Sequence, residues 1–393
     1  MAVAAKKQKP ALNPQMLKWA REWRGRTLEE AARRVGKTAE DIAEWESTPG
    51  GPTVRQARAL ADFYDRQFLE FFLATPPPIQ EPQLVTDFRL HRDAPNPKET
   101  RELRIIQAWA EAKRTNALDL FEEIDDAPPS IPDELYSRAG SDPEEAAERV
   151  RRILSFPFSE QAKLPASRQE QLPTILRKKL EGVGILTLKH SGLADFQARG
   201  ICIFATPLPI VVFGNESPAA QAFTLAHELA HVSLKESGIS GKRSKDAAAI
   251  ERWCDQFAAA FLMPRSEVVA LLGPPHRPQL EDMRDEWING IASHFRVSPH
   301  AMLIRLVHLG YVKASFYWSV KKPLFDAQEA SYKSFGRPKY YGSRYRSSLG
   351  NLYTGLVLEA WNSGRITNHS AAEYMGIKNF EHLFDIRNHF AGP

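Results

Sequence analysis

Apolar positions along this chain recur mostly at intervals of three and four, the spacing that gives a helix one buried face. Between residues 14 and 72 they predict several short helices. Met16, Leu17, Ala20 and Trp23 form one face of the first. Thr27-Leu28-Glu29-Glu30 opens a second with a capping pattern, and Ala31, Ala32 and Val35 carry it to Gly36. Thr38-Ala39-Glu40-Asp41 starts a third in the same way, with Ile42 and Trp45 inward, and Pro52-Thr53-Val54 opens a fourth through Ala57, Leu60 and Ala61. The stiff break Thr75-Pro76-Pro77-Pro78 marks a boundary, followed by a connector through Asp87-Phe88-Arg89 and a turn over Asp93 to Pro97. A helix is then predicted from about Lys98 to Asp125, with Leu103, Ile106, Trp109, Ala110, Ala117 and Leu120 as its stripe. Two more follow, from Pro143 to Leu154 and from Leu172 to Glu181.

The period then changes. Gly182 to Leu188, Gly200 to Ala205 and Ile210 to Phe213 are β-branched and aromatic runs broken by Gly, Pro or Asp, and they read as strands of a small sheet. Helical spacing returns at Ser217-Pro218, an N-cap followed by a first-turn proline, and runs to Leu234. A second apolar helix holds Ile250 to Met263 and stops at Pro264; Val268 to Leu272 continue in helix until Gly273-Pro274-Pro275. Met283 to Phe295 and Ser298 to Leu309 form a helical pair, and Gly350 to Asn362, Thr367 to Met375 and Phe380 to Phe390 are the last helices. The fold class is α+β and mostly helical: an N-terminal helical bundle, a central domain with a small sheet, and a helical C-terminal tail.

Composition adjusts this picture only a little. At 393 residues the chain is too long for one ordinary domain, and a hydrophobic share of 43% is enough for real cores. The two cysteines, Cys202 and Cys254, make no disulfide framework, and the chain reads as cytoplasmic. The basic lead lacks the apolar core of a secretory signal, and no apolar run is long enough to span a bilayer. The formal net charge of +4 is modest but unevenly spread. Residues 313 to 393 hold eleven Lys and Arg against six Asp and Glu, a surplus larger than that of the whole chain. There Arg337, Lys339, Arg344 and Arg346 are interleaved with aromatics such as Tyr340, Tyr341 and Tyr345. That mixture suits a nucleic-acid backbone with base stacking, and equally a loop that packs its tyrosines and solvates its charges.

The chemistry concentrates in Ala226-His227-Glu228-Leu229-Ala230-His231. Histidines four apart lie one above the other on a helix face and can grip one metal ion, while the glutamate beside them handles a proton. A lone His-x-x-x-His pair arises by chance; the intervening Glu228 and a third carboxylate, Glu251, on the next helix make zinc the better reading. Three protein ligands leave one position open for water, as catalysis requires. Asp255 follows Glu251 by one helical turn and can accept a hydrogen bond from a ligand imidazole. Cys254, flanked by apolar residues, packs, and His190, His276, His294 and His308 lack paired spacing. The expected reaction is peptide hydrolysis with Glu228 as the base.

The segment Phe223 to His231, with Glu251-x-x-Cys254-Asp255-x-Phe257-Ala258, Leu262-Met263-Pro264 and Ile291 to Ser298 through Arg305-Leu306 to Leu309-Gly310, closely resembles the ImmA/IrrE metallopeptidases. That family places Asn where this chain has Asp255. Thr27, Leu28, Ala31, Ala32, Gly36, Ile42, Trp45-Glu46 and Leu60-Ala61 resemble an XRE-type helix-turn-helix. The resemblances imply a lead (1–14), a helix-turn-helix (15–72), a linker (73–97), a helical connector (98–179), a gluzincin-like zinc peptidase domain (180–312) and a basic helical tail (313–393). They imply one zinc ion per chain and a single protein substrate, commonly an XRE-type repressor whose loss releases stress-response or mobile-element genes. The alternative is a DNA-binding regulator whose peptidase-like domain senses or binds a partner without cutting. A homodimer is a further option. The third helix would enter the major groove, yet Thr38 to Glu46 carries Glu40, Asp41, Glu44 and Glu46 and no Lys or Arg. Contact with DNA backbone would then fall to Arg33, Arg34, Lys37, Arg55 and Arg58.

Overall fold

Capping side chains set the ends of the first helices. The computed structural model describes residues 10–64, 66–77, 97–138, 140–165, 168, 171–196, 199–236, 245–275, 278–330, 341–377 and 379–390. Two units are distinguished, residues 1–83 and 84–393. In the first, α1 (Pro14–Trp23) starts where the Asn13 side chain accepts from the Gln15 amide and a proline takes the first helical position. α2 (Leu28–Val35) and α3 (Ala39–Trp45) both begin with reciprocal capping boxes, Thr27 with Glu30 and Thr38 with Asp41. With α4 (Val54–Tyr64) they close around Leu17, Ala20, Ala31, Ile42, Trp45, Ala57, Leu60 and Tyr64. A 3-10 turn (Phe68–Phe72) returns the chain to α1, the Asn13 amide donating to Phe71 O at 2.8 Å. Residues 1–9 of the expected lead and 78–96 of the expected linker lie outside the described residues, whereas residues 10–14 lead into and open α1.

The second unit is built on three strands, β1 (Leu186–Lys189), β2 (Gly200–Ile203) and β3 (Ile210–Phe213), ordered β1-β3-β2. β3 is central, parallel to β1 and antiparallel to β2. All twelve strand residues except Lys189 are buried, because both faces are covered, which explains their unbroken apolar runs. Cys202, Val211 and Phe213 face one cluster with the helices that follow the sheet; Leu186, Leu188, Ile201, Ile203, Ile210 and Val212 face the other. The first cluster joins α6 (Pro143–Ile153), α8 (Gln171–Gly182), α9 (Pro218–Leu234), α10 (Lys245–Leu262), α12 (Asp285–Phe295) and α13 (Pro299–His308). The second joins α5 (Pro97–Glu123) to α16 (Tyr341–Asn362), α17 (Asn368–Met375) and α18 (Glu381–Phe390). Other helical pieces are α7 (Phe158–Ala162), α11 (Arg265–Leu272), α14 (Ala314–Phe316), a π-helical turn (Tyr317–Lys321), α15 (Lys322–Ala330) and 3-10 turns at Asp133–Leu135 and Ser191–Phe196. Among the described residues no helix is long and apolar enough to cross a membrane.

Two local readings change. Gly182 to Leu188, predicted as one strand, first finishes α8: the amides of Val183, Gly184 and Ile185 donate back to Leu180 and Glu181 carbonyls. Gly184 sits at φ 81 with its Cβ position 2.2 Å from Pro129 O, so only glycine turns the corner, and β1 starts at Leu186. Gly350, predicted to open a helix, instead breaks one that has already run from Tyr341, at φ 85 and ψ 172. The Glu181 carboxylate accepts the Asn351 and Leu352 amides there and so caps the helix that resumes. Glu181 is also paired at 3.2 Å with Arg177, which donates to Thr187 O and Ser348 O. Burial holds the Arg177 guanidinium below its ordinary pKa, with Glu181 opposing the shift. This polar knot, with the Ser348 hydroxyl on Lys189 O at 2.9 Å, ties the outer side of β1 to the chain around Gly350.

The end of α10 is held by side chains. A helix leaves its last four carbonyls without internal partners. Phe261 O accepts from Arg151 at 2.6 Å, Leu262 O from Gln161 at 2.8 Å and Met263 O from Arg305 at 3.0 Å. Arg305 is 1% exposed and makes a two-pronged pair with Glu144 at 2.5 and 2.7 Å. Glu144→Ala leaves that guanidinium buried without its carboxylate and is expected to cost about 3 kcal/mol or more. A denaturant midpoint measures it; a loss below about 1 kcal/mol would show that the pair is dispensable.

Candidate metal centre

The site lies where α9 faces α10. Ser217 caps α9, its hydroxyl accepting from the Ala220 amide, and Pro218 stands in the first turn. From Ala222 to Ser233 nearly every α9 residue is buried, so His227, Glu228 and His231 sit in a wall of Ala and Leu, at no more than 1% exposure. Ser233 pins the far end, its hydroxyl donating to Leu135 O at 2.8 Å. On α10, Trp253, Cys254, Phe257 and Phe261 turn inward, while Glu251 remains partly open to solvent. Cys254 packs in the core, as expected of it.

Three donor groups converge. His227 Nε2 and His231 Nε2 are 3.2 Å apart, and the Glu251 carboxylate lies 3.4 Å from the first and 3.3 Å from the second. Among the described residues this is the one group of such side chains placed to hold a single metal ion. Bonds of about 2.0–2.1 Å to a tetrahedral zinc would set neighbouring donors about 3.3 Å apart, so the spacing fits that ion. The opposite ring nitrogen, His227 Nδ1, meets Asp255 Oδ1 at 3.1 Å. A carboxylate there accepts the Nδ1 proton, which fixes the tautomer and turns the Nε2 lone pair toward His231 and Glu251. Two imidazole acceptors and a carboxylate aimed at one point repel one another unless a cation stands between them.

Glu228, the residue after His227, reaches the sheet. A Cβ built on Gly200 would lie 2.4 Å from Glu228 Oε1, 2.9 Å from its Cδ and 2.7 Å from Thr224 Cγ2. Thr224 is fixed in turn by its hydroxyl on Glu216 at 3.0 Å, and Arg199 pairs with Glu216 at 3.4 Å. The Gly214 amide donates to Arg199 O, so Arg199–Gly214 is a hydrogen-bonded antiparallel pair. The alternation then has Ile201 and Ile203 bonding to β3, with the main-chain groups of Gly200 and Cys202 turned toward the outer edge of β2. The sequence marks Gly200 only as the start of a strand; its approach to Glu228 across the fold leaves no mark in the sequence.

The basic candidates are scattered. Arg33, Arg34, Lys37, Arg55 and Arg58 are exposed; Lys37 stands 3.7 Å from Asp41, and Arg58 lies over the Phe68 ring. Glu40 and Glu44 are exposed on α3. In the tail Arg344 is half-buried and Arg346 donates to Asn351 at 2.7 Å, whereas Arg337 and Lys339 lie outside the described residues.

Residues 184–307 match the IrrE N-terminal-like domain, a peptidase family, and residues 17–71 match a helix-turn-helix family. No curated protein matches the chain. The chain thus has the ImmA/IrrE architecture, a helix-turn-helix of the XRE type joined to an IrrE-like peptidase domain. All of the converging donors, Glu228, Asp255 and Gly200 fall inside the matched peptidase segment.

Purified protein is expected to hold one zinc per chain by elemental analysis, and His231→Ala to hold none. Asp255→Ala should keep the metal but weaken it about 10- to 100-fold in chelator competition. An unchanged competition curve would show that the Asp255 contact does not orient His227.

Proposed function

We propose that this chain is a regulatory zinc-dependent endopeptidase that cleaves one protein partner, an XRE-type transcriptional repressor, and so relieves repression in stress response or mobile-element control. The observation that supports it most is the convergence of His227, His231 and Glu251 within 3.4 Å, with Glu228 buried on the same helix turn. A zinc ion held by those three side chains supplies Lewis acidity toward a water and a peptide carbonyl. The chain's own residues do the rest. Asp255 holds the proton of His227 Nδ1, which keeps the ring in its metal-facing orientation. Glu228 takes a proton from the attacking water at its carboxylate and passes it to the leaving amine nitrogen. Burial of Glu228 among Ala and Leu keeps bulk water from competing for that proton. β2 is an edge strand beside this carboxylate, and an extended substrate adds along its outer side by main-chain hydrogen bonds.

A single chosen substrate fits the attached helix-turn-helix better than general digestion does. A helix-turn-helix is a DNA-binding fold. The face of α3 that would enter the groove exposes Glu40 and Glu44, however, and the cations that could meet phosphate, Arg33, Arg34, Lys37, Arg55 and Arg58, flank it. This favours a module that pairs with a repressor of similar fold over one that reads bases.

Wild type and Glu228→Gln, each incubated with a candidate XRE-type repressor, such as one encoded by an adjacent gene where there is one, separate the readings. Wild type should give discrete fragments by mass spectrometry. Glu228→Gln should keep its zinc and fold and give none. Equal cleavage by both would remove Glu228 from the mechanism. No cleavage by wild type, together with a salt-sensitive gel shift on operator DNA, would favour the regulator whose peptidase-like domain binds without cutting.

A further inference from the structure

The catalytic helix touches the edge strand at one place where a side chain is missing. At Gly200, an added Cβ would stand 2.4 Å from Glu228 Oε1, closer than any real Cβ contact. The position is not a backbone requirement for glycine, since Gly200 pairs in register with Phe213 and lies in ordinary strand geometry. Its lack of a side chain answers to the carboxylate. The next residue on the same strand face, Cys202, packs in the apolar cluster with Val211 and Phe213. The gap is therefore local to Glu228 and Thr224.

We propose that Gly200 is a positioning residue: by omitting a side chain it seats the Glu228 carboxylate against the main chain of β2, at the point where a peptide adds to that strand. The inference rests on the peptidase reading above and deepens it. Two demands meet at this residue. Its main-chain groups face the outer edge, where substrate pairs, and its empty side-chain position faces α9, where the base sits. The substrate bond that lies along Gly200 is thereby held next to the group that moves its proton. The metal donors stand apart from this contact. His227 and His231 face Glu251 on α10, so crowding at Gly200 displaces the base and leaves the metal-binding triad in place.

The test uses full-length, zinc-loaded protein and the repressor identified by the cleavage comparison above. Gly200→Ala is expected to retain one zinc per chain and to lose kcat on the order of a hundredfold, because small misplacement of a reacting group has that effect. KM should stay within about threefold, since binding of the peptide main chain is unchanged. Glu228→Asp withdraws the carboxylate by one methylene and makes room. In that background Gly200→Ala should cost little further activity and little melting temperature, so the cycle is non-additive in both. Thr224→Ser removes the other near atom while keeping its hydroxyl, and serves as the control. Wild-type kcat in Gly200→Ala, loss of zinc in Gly200→Ala, additivity in the cycle, or rescue of kcat by Thr224→Ser alone would each overturn the proposal. Should Gly200→Ala fail to fold, recovery of folding by Glu228→Asp supports it and failure to recover overturns it. The melting arm needs no turnover. If wild type cleaves nothing, the peptidase reading has failed, and coupling in melting still decides whether Gly200 seats Glu228.

Discussion

The candidate metal centre depends on the distance between α9 and α10. Metal donors from two helices must meet within a few tenths of an ångström, and neither helix can set that distance alone. Apolar packing supplies most of the attraction, through Leu225, Leu229, Trp253 and Phe257 in one cluster. Apolar contact is non-directional, however, and tolerates sliding. The directional part comes from buried polar groups at the helix ends. Arg151, Gln161 and Arg305 take the last carbonyls of α10, and Gln161 also reaches Phe295 O on α12. Ser217 and Ser233 fix the two ends of α9. Arg151, Gln161, Ser233 and Arg305 are buried donors that would be costly to leave unpaired, so the register of the helices is set by polar satisfaction as much as by packing.

The same logic governs the sheet. A three-stranded sheet has two outer sides, and an unguarded strand edge invites pairing with any extended chain. On the β1 side, Arg177 donates to Thr187 O, Ser348 to Lys189 O, and the helix break at Gly350 is pressed so close that its Cβ position lies 2.2 Å from Glu181 Oε1. The C-terminal helices are thus built into the wall of the catalytic unit and share its second cluster with α5. On the β2 side the strand runs beside α9 and Glu228. The two sides of the sheet thus differ: the C-terminal helices hold the β1 edge, and α9 with Glu228 runs beside β2.

Much of this was legible in the sequence because it is local. The caps Thr27, Thr38, Ser217 and Ser298 lie within three residues of the amides they satisfy. His227 and His231 are one helical turn apart, and so are Glu251 and Asp255; those spacings carry their geometry with them. What stayed hidden is non-local. The Gly200–Glu228 contact spans 28 positions, and Arg305 meets Glu144 across 161. No periodicity encodes either. The short run Gly182 to Leu188 misled for another reason: β-branched residues at a helix C-terminus look like the start of a strand until the left-handed Gly184 is seen.

Charge explains why a divalent ion suits this centre. Glu228, Glu251 and Asp255 bring three formal negative charges to two imidazoles on adjoining helix faces. Asp255 is half exposed and Glu251 more than a third, so solvent screens part of that charge. Glu228 has no such relief at 1% exposure. Burying a carboxylate is expensive unless its charge is offset nearby. A dication held by His227, His231 and Glu251 would offset most of the formal excess. Asp255 strengthens the same effect, because an anionic acceptor on His227 Nδ1 makes the ring a better donor than a neutral amide would. The two halves of the candidate site would be coupled through charge although their contacts are separate: a metal held by the triad would set the field around Glu228, and the Gly200 contact bears on where its carboxylate stands.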